Sequence, residues 1–540
     1  MKIFEPKIVK SLKNYNGKTF ASDFVAGLIV AIIALPLSIA LAIASGVGPE
    51  QGLYTAIVAG LVIALLGGSS VNISGPTAAF ATIVAGIVAE FGMSGLVMAT
   101  LMAGIILILM GILKFGSLIK YIPYTITTGF TSGIALTIVI GQLKDFFGLT
   151  FAEGTHAVET MEKVEAVVAS FQTINLQAVL VGLIGLAILI VWPKINKKIP
   201  GSLIAVIVGV IIVKVFNMKV NTIGDLYEIS RSLPKFSLPV FDLTVVKAVI
   251  PSAFTIAILA GIESLLSCVV SDSMIGDKHN SNTELIAQGA GNICSGLFGG
   301  IPATGAIART AANVKNGGKT PVAGVVHALV LLLILVVLMP YAAWIPMPII
   351  AAILFMVAYN MCEWRHFVEI CKSAPKSDII VLVITFILTV VFDLVVAIEV
   401  GLLVTVILFM KRMADVTNIR PWEKGDDIRY KTIPKHTRVF EIDGPMFFAT
   451  SEKVSEIEVG ETTKVVILRM RNVMSLDISA LRSIISVYNS YKDKDIKVIF
   501  SHVNPQPMSV MKKAGFFDLV GEEYFVENID VALIKAEQQL

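Results

Sequence analysis

Two stretches, SVNISGPTAAFATIVAG at residues 70–86 and LFGGIPATGAIARTAAN at 297–313, decide the fold. Each opens with Gly and Pro, which interrupt a helix, and each follows the interruption with small residues and a Thr suited to a helix start. Both are too short to cross a bilayer, and they sit seven apolar segments apart. Paired, interrupted short helices in corresponding halves of a chain point to a transporter's midplane site. The plainer alternative is re-entrant packing with no ligand. The pairing predicts that the two short helices face each other across a polar cavity.

The rest of the chain agrees with a membrane setting. Its 540 residues are 55% hydrophobic and only 15% charged, with a mean hydropathy of +0.82. A soluble globular chain carries about 25% charged residues. With 42 Gly, 21 Pro and 4 Cys, the chain is not collagenous, disordered or disulfide-framed. The remaining class is a polytopic α-helical membrane protein. Apolar runs near 22–44, 51–67, 95–113, 122–141, 175–192, 201–217, 246–270, 284–300, 321–340, 345–361, 377–392 and 394–411 are read as spans. A span needs about 20 apolar residues. With the two short stretches, about 75–90 and 303–314, they predict 14 transmembrane segments and both termini on one side.

Lysine and arginine say which side. Lys2, Lys7, Lys10, Lys13 and Lys18, then Lys114 and Lys120, Lys194, Lys197 and Lys198, Lys315 and Lys319, and Lys411 with Arg412 fall on one face. The 142–173 loop instead holds Asp145, Glu153, Glu159, Glu162 and Glu165. The termini are therefore expected in the cytoplasm of a multi-pass cell-membrane protein, with the bacterial inner membrane its expected setting. Lys219, Arg231 and Lys235 on the outer side run against the rule, which long loops obey poorly. The N-terminus is not expected to be a cleavable signal, because the long apolar run that follows Lys18 lacks a small-residue cleavage pattern.

The chain divides into a segment 1–20, a transmembrane domain 21–412, a linker 413–429 and a domain 430–540. After Arg420 the period changes. RVFEIDGPMFFAT (438–450) reads as two strands joined at Asp443-Gly444-Pro445, and TKVVILRM (463–470) and DIKVIFSHV (495–503) read as further strands. DISALRSIISVYNSYK (477–492), PMSVMKKAGF (507–516) and VENIDVALIKAEQQL (526–540) read as helices. This alternation is a small cytosolic α/β unit with a mostly parallel sheet. Without a phosphate loop or a catalytic triad, it is expected to regulate or to dock a cytosolic partner, and to fold on its own.

Ionisable residues inside a span are functional candidates, because each is costly unless paired or hydrated. Glu263, in AGIESLLSCVVSD, shares a helical face with Ser267 and adjoins Ser264. It is a candidate to bind and release a proton; the alternative is a carboxylate satisfied by backbone and Ser hydroxyls. Arg309, in PATGAIARTAAN, lies about one and a half turns past a helix start expected at Thr304. A cation beside two half-helix N-termini suits an anion; the alternatives are snorkelling toward the cytoplasm or pairing with Glu263. Glu399 is expected to serve helix packing. Pro36, Pro123, Pro251 and Pro346 are read as kinks or helix starts, and His327 and His366 as structural. Cys268, Cys294, Cys362 and Cys371 have no CxxC or ligand spacing, so neither disulfides nor a metal or other cofactor is expected. No basic patch with interleaved aromatics suggests nucleic acid, and no nucleophile–base pair suggests an enzyme.

At these residues the chain resembles the sulfate permease (SulP) family of anion transporters with a C-terminal STAS domain. GVGPEQGLYTAIVAGLVIALLGGSS (46–70), SGPTAAF (74–80), GIESLLSCVVSD (261–272) and GGIPATGAIARTAANVKNGGKTPVAG (299–324) carry the resemblance, which spans nearly the whole chain. More narrowly, 261–320 and PKSDIIVLVITFILTVVFDLVVAIEVG (375–401) are similar to a bacterial branch that includes proton-driven C4-dicarboxylate transport. The resemblance implies a 7+7 inverted repeat with gate and core parts, often in a homodimer, and an anion site between the third and tenth segments. Thr77, Ala78, Ala79 and Phe80 would line one side of it, and Ala303, Thr304 and Gly305 the other. Glu263 falls where sodium-driven bicarbonate members have Asp, and Ser267 where they have Thr. Arg309 matches a basic residue of many members.

Departures from the family pattern are specific. The first segment reads ALPLSIALA, with Leu37 and Leu41 where many members carry Gln and an aromatic. Ser70 stands where a basic residue usually follows the GGS signature. Asp477-Ile478-Ser479-Ala480 lacks one hydroxyl of the family's Asp-Ser-Ser/Thr-Gly loop, which weakens a phosphorylation switch there. Together these readings predict secondary transport of a small inorganic or organic anion, sulfate or a dicarboxylate such as succinate, coupled to a proton. Sodium–bicarbonate symport and anion exchange are alternatives within transport. A membrane receptor or scaffold is the alternative from another class.

Overall fold

The computed structural model describes residues 4–117, 123–152, 157, 159–196, 199–229, 232–239, 242–392, 394–422 and 433–540. Lys120, Glu153, Lys197, Lys198, Arg231 and the 423–429 part of the expected linker lie outside the described residues. The chain forms two compact units, Met1–Leu402 and Leu403–Leu540.

The first unit is helical. After a short α1 (Lys7–Ser11) come α2 (Gly17–Ala44) and α3 (Pro49–Leu66), then a two-residue strand β1 (Ser74–Gly75) and α4 (Ala81–Ile112). They are followed by α5 (Tyr124–Phe147), α6 (Thr160–Ala169), α7 (Leu176–Ile195), α8 (Gly201–Val215) and the single turn α9 (Ile223–Leu226). The second half runs α10 (Leu243–Ile275), α11 (Ser281–Leu297), a matching strand β2 (Thr304–Gly305) and α12 (Ile307–Lys315). It continues through α13 (Val322–Ala342), α14 (Met347–Cys362), α15 (Trp364–Ser373) and α16 (Lys376–Val391), and ends within α17 (Leu394–Val416), which carries the chain across the boundary after Leu402.

Local chemistry explains these limits. Asn16 caps α2 by accepting from the Thr19 N–H at 2.9 Å, Asp242 caps α10, and Asn280 caps α11; each satisfies a donor with no intrahelical partner. Pro123 and Pro346 precede α5 and α14 as starts, while Pro36 and Pro251 lie inside α2 and α10. Gly92, at φ 65°, divides α4 into two arms. The first arm is the short helix expected after the SGPT break, and the second is the span expected at 95–113. Among the described residues eight helices are long and apolar enough to cross a membrane, with α4 counted once. The arms of α4, the shorter α8, α11, α12 and α16, and the 23-residue α17 bring the arrangement into line with seven and seven.

Packing between apolar helices depends on close approach, since lipid is as apolar as they are. Gly104 of α4 faces Gly289 of α11: a Cβ on the first would lie 2.7 Å from the Gly289 carbonyl oxygen, and one on the second 2.4 Å from that of Gly104. The α15 amphipathic helix and α6 were not anticipated from the sequence. Glu399, expected in helix packing, is exposed on α17.

The second unit continues from α17 into β3 (Asn418–Pro421), β4 (Thr437–Asp443), α18 (Ser451–Ser455), β5 (Val465–Asn472), α19 (Ile478–Lys492) and β6 (Lys497–Ser501). It closes with α20 (Pro505–Lys513), α21 (Phe516–Val520), β7 (Phe525–Val526) and α22 (Ile529–Gln538). The sheet order is β3-β4-β5-β6-β7, parallel except for the antiparallel β3 edge. Strand alternation gives it two faces. Phe440, Leu468 and Phe500 pack with Leu481, Ile484 and Phe516 on one side, and Val439, Ile467 and Ile499 with Ala532, Leu533 and Ala536 of α22 on the other.

Two expectations change here. The segment after Gly444 is not a second strand: Phe448–Thr450 is a 3-10 turn leading into α18. Gly444 has φ 99°, Pro445 has no N–H to give a ladder, and the Phe448 N–H is taken by the Asp477 carboxylate at 2.8 Å. The 413–429 stretch also carries β3, whose Ile419 pairs with Ile442.

Candidate functional site

The two interruptions are bonded to each other. β1 and β2 form an antiparallel pair, with Ser74 opposite Gly305 and Gly75 opposite Thr304, and the Ala306 N–H donates to the Ile73 carbonyl at 2.9 Å. The breaks therefore meet edge to edge, where the sequence suggested a cavity between them. Beyond the pair, Ala78–Phe80 make a 3-10 turn into α4, and α12 begins at Ile307. The helix start expected at Thr304 is displaced because Thr304 and Gly305 serve the strand pair. Arg309 consequently lies in the first turn of α12, just before its first closing bond, Thr310 N–H to Ala306 carbonyl at 2.8 Å. The N–H groups ahead of that bond have no intrahelical acceptor.

α10 crosses behind both breaks and holds each. The Thr77 hydroxyl donates to the Glu263 carboxylate at 3.1 Å. Ser264 shares a 2.7 Å hydrogen bond with Thr304 and accepts from the Gly305 N–H at 2.9 Å, while the Thr304 hydroxyl also donates to the Ala260 carbonyl. Ala303 is clamped by Asn292, which accepts from its N–H and donates to its carbonyl, both at 2.9 Å. Ala78, Ala79, Phe80, Ala303, Thr304 and Gly305 are buried, whereas Thr77 and Glu263 remain half-buried and Ile307 and Ala308 are exposed. Ser267 does not join Glu263: its hydroxyl donates to Asn72 at 2.8 Å and lies 3.1 Å from the Thr310 hydroxyl.

Arg309 is 3% exposed, so it does not snorkel. Its Nη2 donates to the Pro76 carbonyl. Nη1 has no hydrogen-bond partner among the described residues, and none of their ion pairs joins Arg309 to Glu263. The guanidinium rests on Gly75, where a Cβ would lie 2.6 Å from Nη1. A buried cation without a counter-charge costs several kcal/mol, and an anion at the junction would offset that cost.

A polar network that the sequence reading passed over surrounds this junction. Glu284 of α11 is fully buried. It accepts from Asn72 Nδ2 at 2.8 Å, Gln288 Nε2 at 3.0 Å and the Gly68 N–H at 2.9 Å. Asn72 Oδ1 accepts from Ser267 and from Thr310 at 3.0 Å, and Gln288 donates to Ser74 at 2.9 Å. Glu284, Gln288 and Asn292 recur every fourth residue, a polar stripe along one face of α11, which was the available signal. A cavity of about 350 Å³ lined by Lys144, Asp145 and Asn175 among others lies elsewhere, because none of its lining residues belongs to the breaks.

Two half-helices that meet by their starts, in a unit of membrane-length helices, define a membrane transporter of the repeat type. The chain belongs to the sulfate permease family, whose profile matches residues 20–385, and a STAS domain matches residues 428–532. It is 39% identical over 523 residues to "Putative sulfate transporter YvdB" of Bacillus subtilis, covering 96% of this chain and 98% of that one. It is 33% identical over 462 residues to the bicarbonate transporter BicA of Picosynechococcus, covering 81% and 80%. The murine Slc26a9 anion transporter, solved in its inward-facing state, superposes with a TM-score of 0.89 at 20% identity over 98% of this chain and 94% of its own. That likeness gives the fold alone. The family consists of transporters, so the chain is a transporter and not an enzyme.

Proposed function

We propose that the protein is a secondary active transporter of a small anion, sulfate or a C4-dicarboxylate such as succinate, coupled to a proton and working by alternating access. The observation that carries this reading is Arg309, buried at the junction of the two breaks with Nη1 unpartnered among the described residues. Around it, Thr77, Ala78, Ala79 and Phe80 contribute one side of the anion site and Ala303, Thr304 and Gly305 the other. The buried members act through backbone and packing, while Thr77 and the first turn of α12 meet the ion. The N–H groups of that turn favour negative charge.

Glu263 is the coupling residue. An anion that enters beside a carboxylate binds better when the carboxylate carries a proton, and this reciprocal preference is what symport requires. Ser267 supports α10 through Asn72 and Thr310 rather than completing a cation cage. The alternative, sodium–bicarbonate symport, draws support for its anion alone from the likeness to the bicarbonate transporter BicA. The protein is placed in the bacterial inner membrane with cytoplasmic termini, as a homodimer. Its transmembrane domain is 21–412, and the 430–540 STAS domain is a regulatory or docking module. Counterflow in proteoliposomes preloaded with sulfate, succinate or bicarbonate tests the substrate assignment. Exchange of sulfate or succinate supports it, and exchange confined to bicarbonate replaces it with the second reading.

A further inference from the structure

Glu284 is a buried carboxylate whose three acceptor contacts all come from neutral donors: Asn72, Gln288 and the Gly68 N–H. A carboxylate only accepts, so it obliges Asn72 to present Nδ2 to it. That leaves Asn72 Oδ1 to accept from two hydroxyls, Ser267 on α10 and Thr310 on α12. Ser267 is one turn past Glu263, and Thr310 is the residue after Arg309. Thr310 in turn accepts from the Ile73 N–H at 3.0 Å, and Gln288 carries the same constraint to Ser74 of β1. One negative charge on α11 thus sets the direction of hydrogen bonds that reach the first break at Ser74 and the two helices bearing the site's ionisable residues.

We infer that Glu284 is a positioning residue for the anion site: it orients Asn72, and through Asn72 it holds Arg309 and Glu263 in register with the joined breaks. This rests on the proposed anion site. Glu284→Gln places an amide NH2 against groups that all donate. Adding Asn72→Asp reverses the polarity and repairs the network. The new carboxylate at position 72 would accept from the new amide at position 284, from Ser267 and from Thr310. The oxygen of that amide would still accept from the Gly68 N–H. Gln288 would turn its own amide so that Oε1, unpartnered among the described residues, accepts from the NH2 at position 284.

The test measures KM and kcat for uptake of radiolabelled sulfate and bicarbonate by the purified full chain in proteoliposomes, with thermal midpoints alongside. Glu284→Gln is expected to raise KM for the transported probe tenfold or more, and Asn72→Asp/Glu284→Gln to return it to within threefold of the parent. A Glu284→Gln protein with unchanged KM and only a lower midpoint would overturn the inference, as would a double variant no better than the single. If Glu284→Gln does not fold, the double variant decides: a folded protein of near-parent KM supports the inference, and an unfolded or weak-binding one overturns it. Arg309→Gln in the same assay separates the two levels. Unchanged KM there removes the anion site and the inference together, whereas a raised KM with Glu284→Gln unaffected removes only the positioning role.

Discussion

The Thr77 hydroxyl donates to the Glu263 carboxylate across 3.1 Å, tying the first break to the helix that also grips the second. Glu263→Gln preserves this contact, because an amide oxygen still accepts from the hydroxyl, but it cannot take up a proton. The variant is therefore expected to fold, to retain anion exchange and to lose proton-driven accumulation. Parallel exchange and net-uptake assays check this; equal loss of both would show that Glu263 serves binding or folding.

Arg309→Gln removes the unpartnered Nη1 and its charge from the junction. A hydrogen bond to a charged group contributes about 1.5–3 kcal/mol, so anion affinity should fall roughly tenfold or more with normal expression. Isothermal titration or competition uptake measures it.

Gly75→Ala tests the seat of that guanidinium. Its Cβ would lie 2.6 Å from Arg309 Nη1 and 3.4 Å from the Ala56 Cα, so Arg309 must move. Overpacking of this kind costs about 1–3 kcal/mol. The expected result is weakened anion binding in a protein whose thermal midpoint falls by several degrees.

At the N-terminal arm, Lys7 pairs with Asp277 at 2.8 Å, Ser70 donates to the same carboxylate at 2.6 Å, and the Lys7 N–H donates to the Gly67 carbonyl. Burial raises the Asp277 carboxyl, but the bonds from Lys7, Ser70 and the Lys278 N–H, with the Lys7 charge, outweigh it and hold it below the usual aspartate value. A depressed acid contributes stability above its unfolded pKa, about 3.9, and loses it as pH falls through the lower folded value. The midpoint gap between the parent and Asp277→Asn should hold from neutral pH to about pH 4 and then close. It should be small, about 1 kcal/mol or less, because the pair is partly exposed.

The membrane class, the two short helices and the α/β alternation were legible because periodicity and Gly/Pro punctuation are local properties. Glu263 and Arg309 stood out as charges in apolar runs. What escaped was fixed by partners far away in sequence. Thr304 reads as a helix start, yet it lies in a strand because Gly75 pairs with it, and β3 emerges only when Thr437–Asp443 is alongside. Glu284 sits near a span end, where a carboxylate looks ordinary, and its meaning comes from Asn72 and Gly68 more than 200 residues away. Ser267 shares the Glu263 face by spacing, but Asn72 claims its hydroxyl.

The most direct test of the account is accumulation of radiolabelled sulfate or succinate by proteoliposomes under an imposed gradient of either protons or sodium. Proton-coupled anion transport predicts accumulation above equilibrium when the outside is acid, with no response to sodium at constant pH. Sodium-driven accumulation at constant pH, with none from a proton gradient, would contradict it.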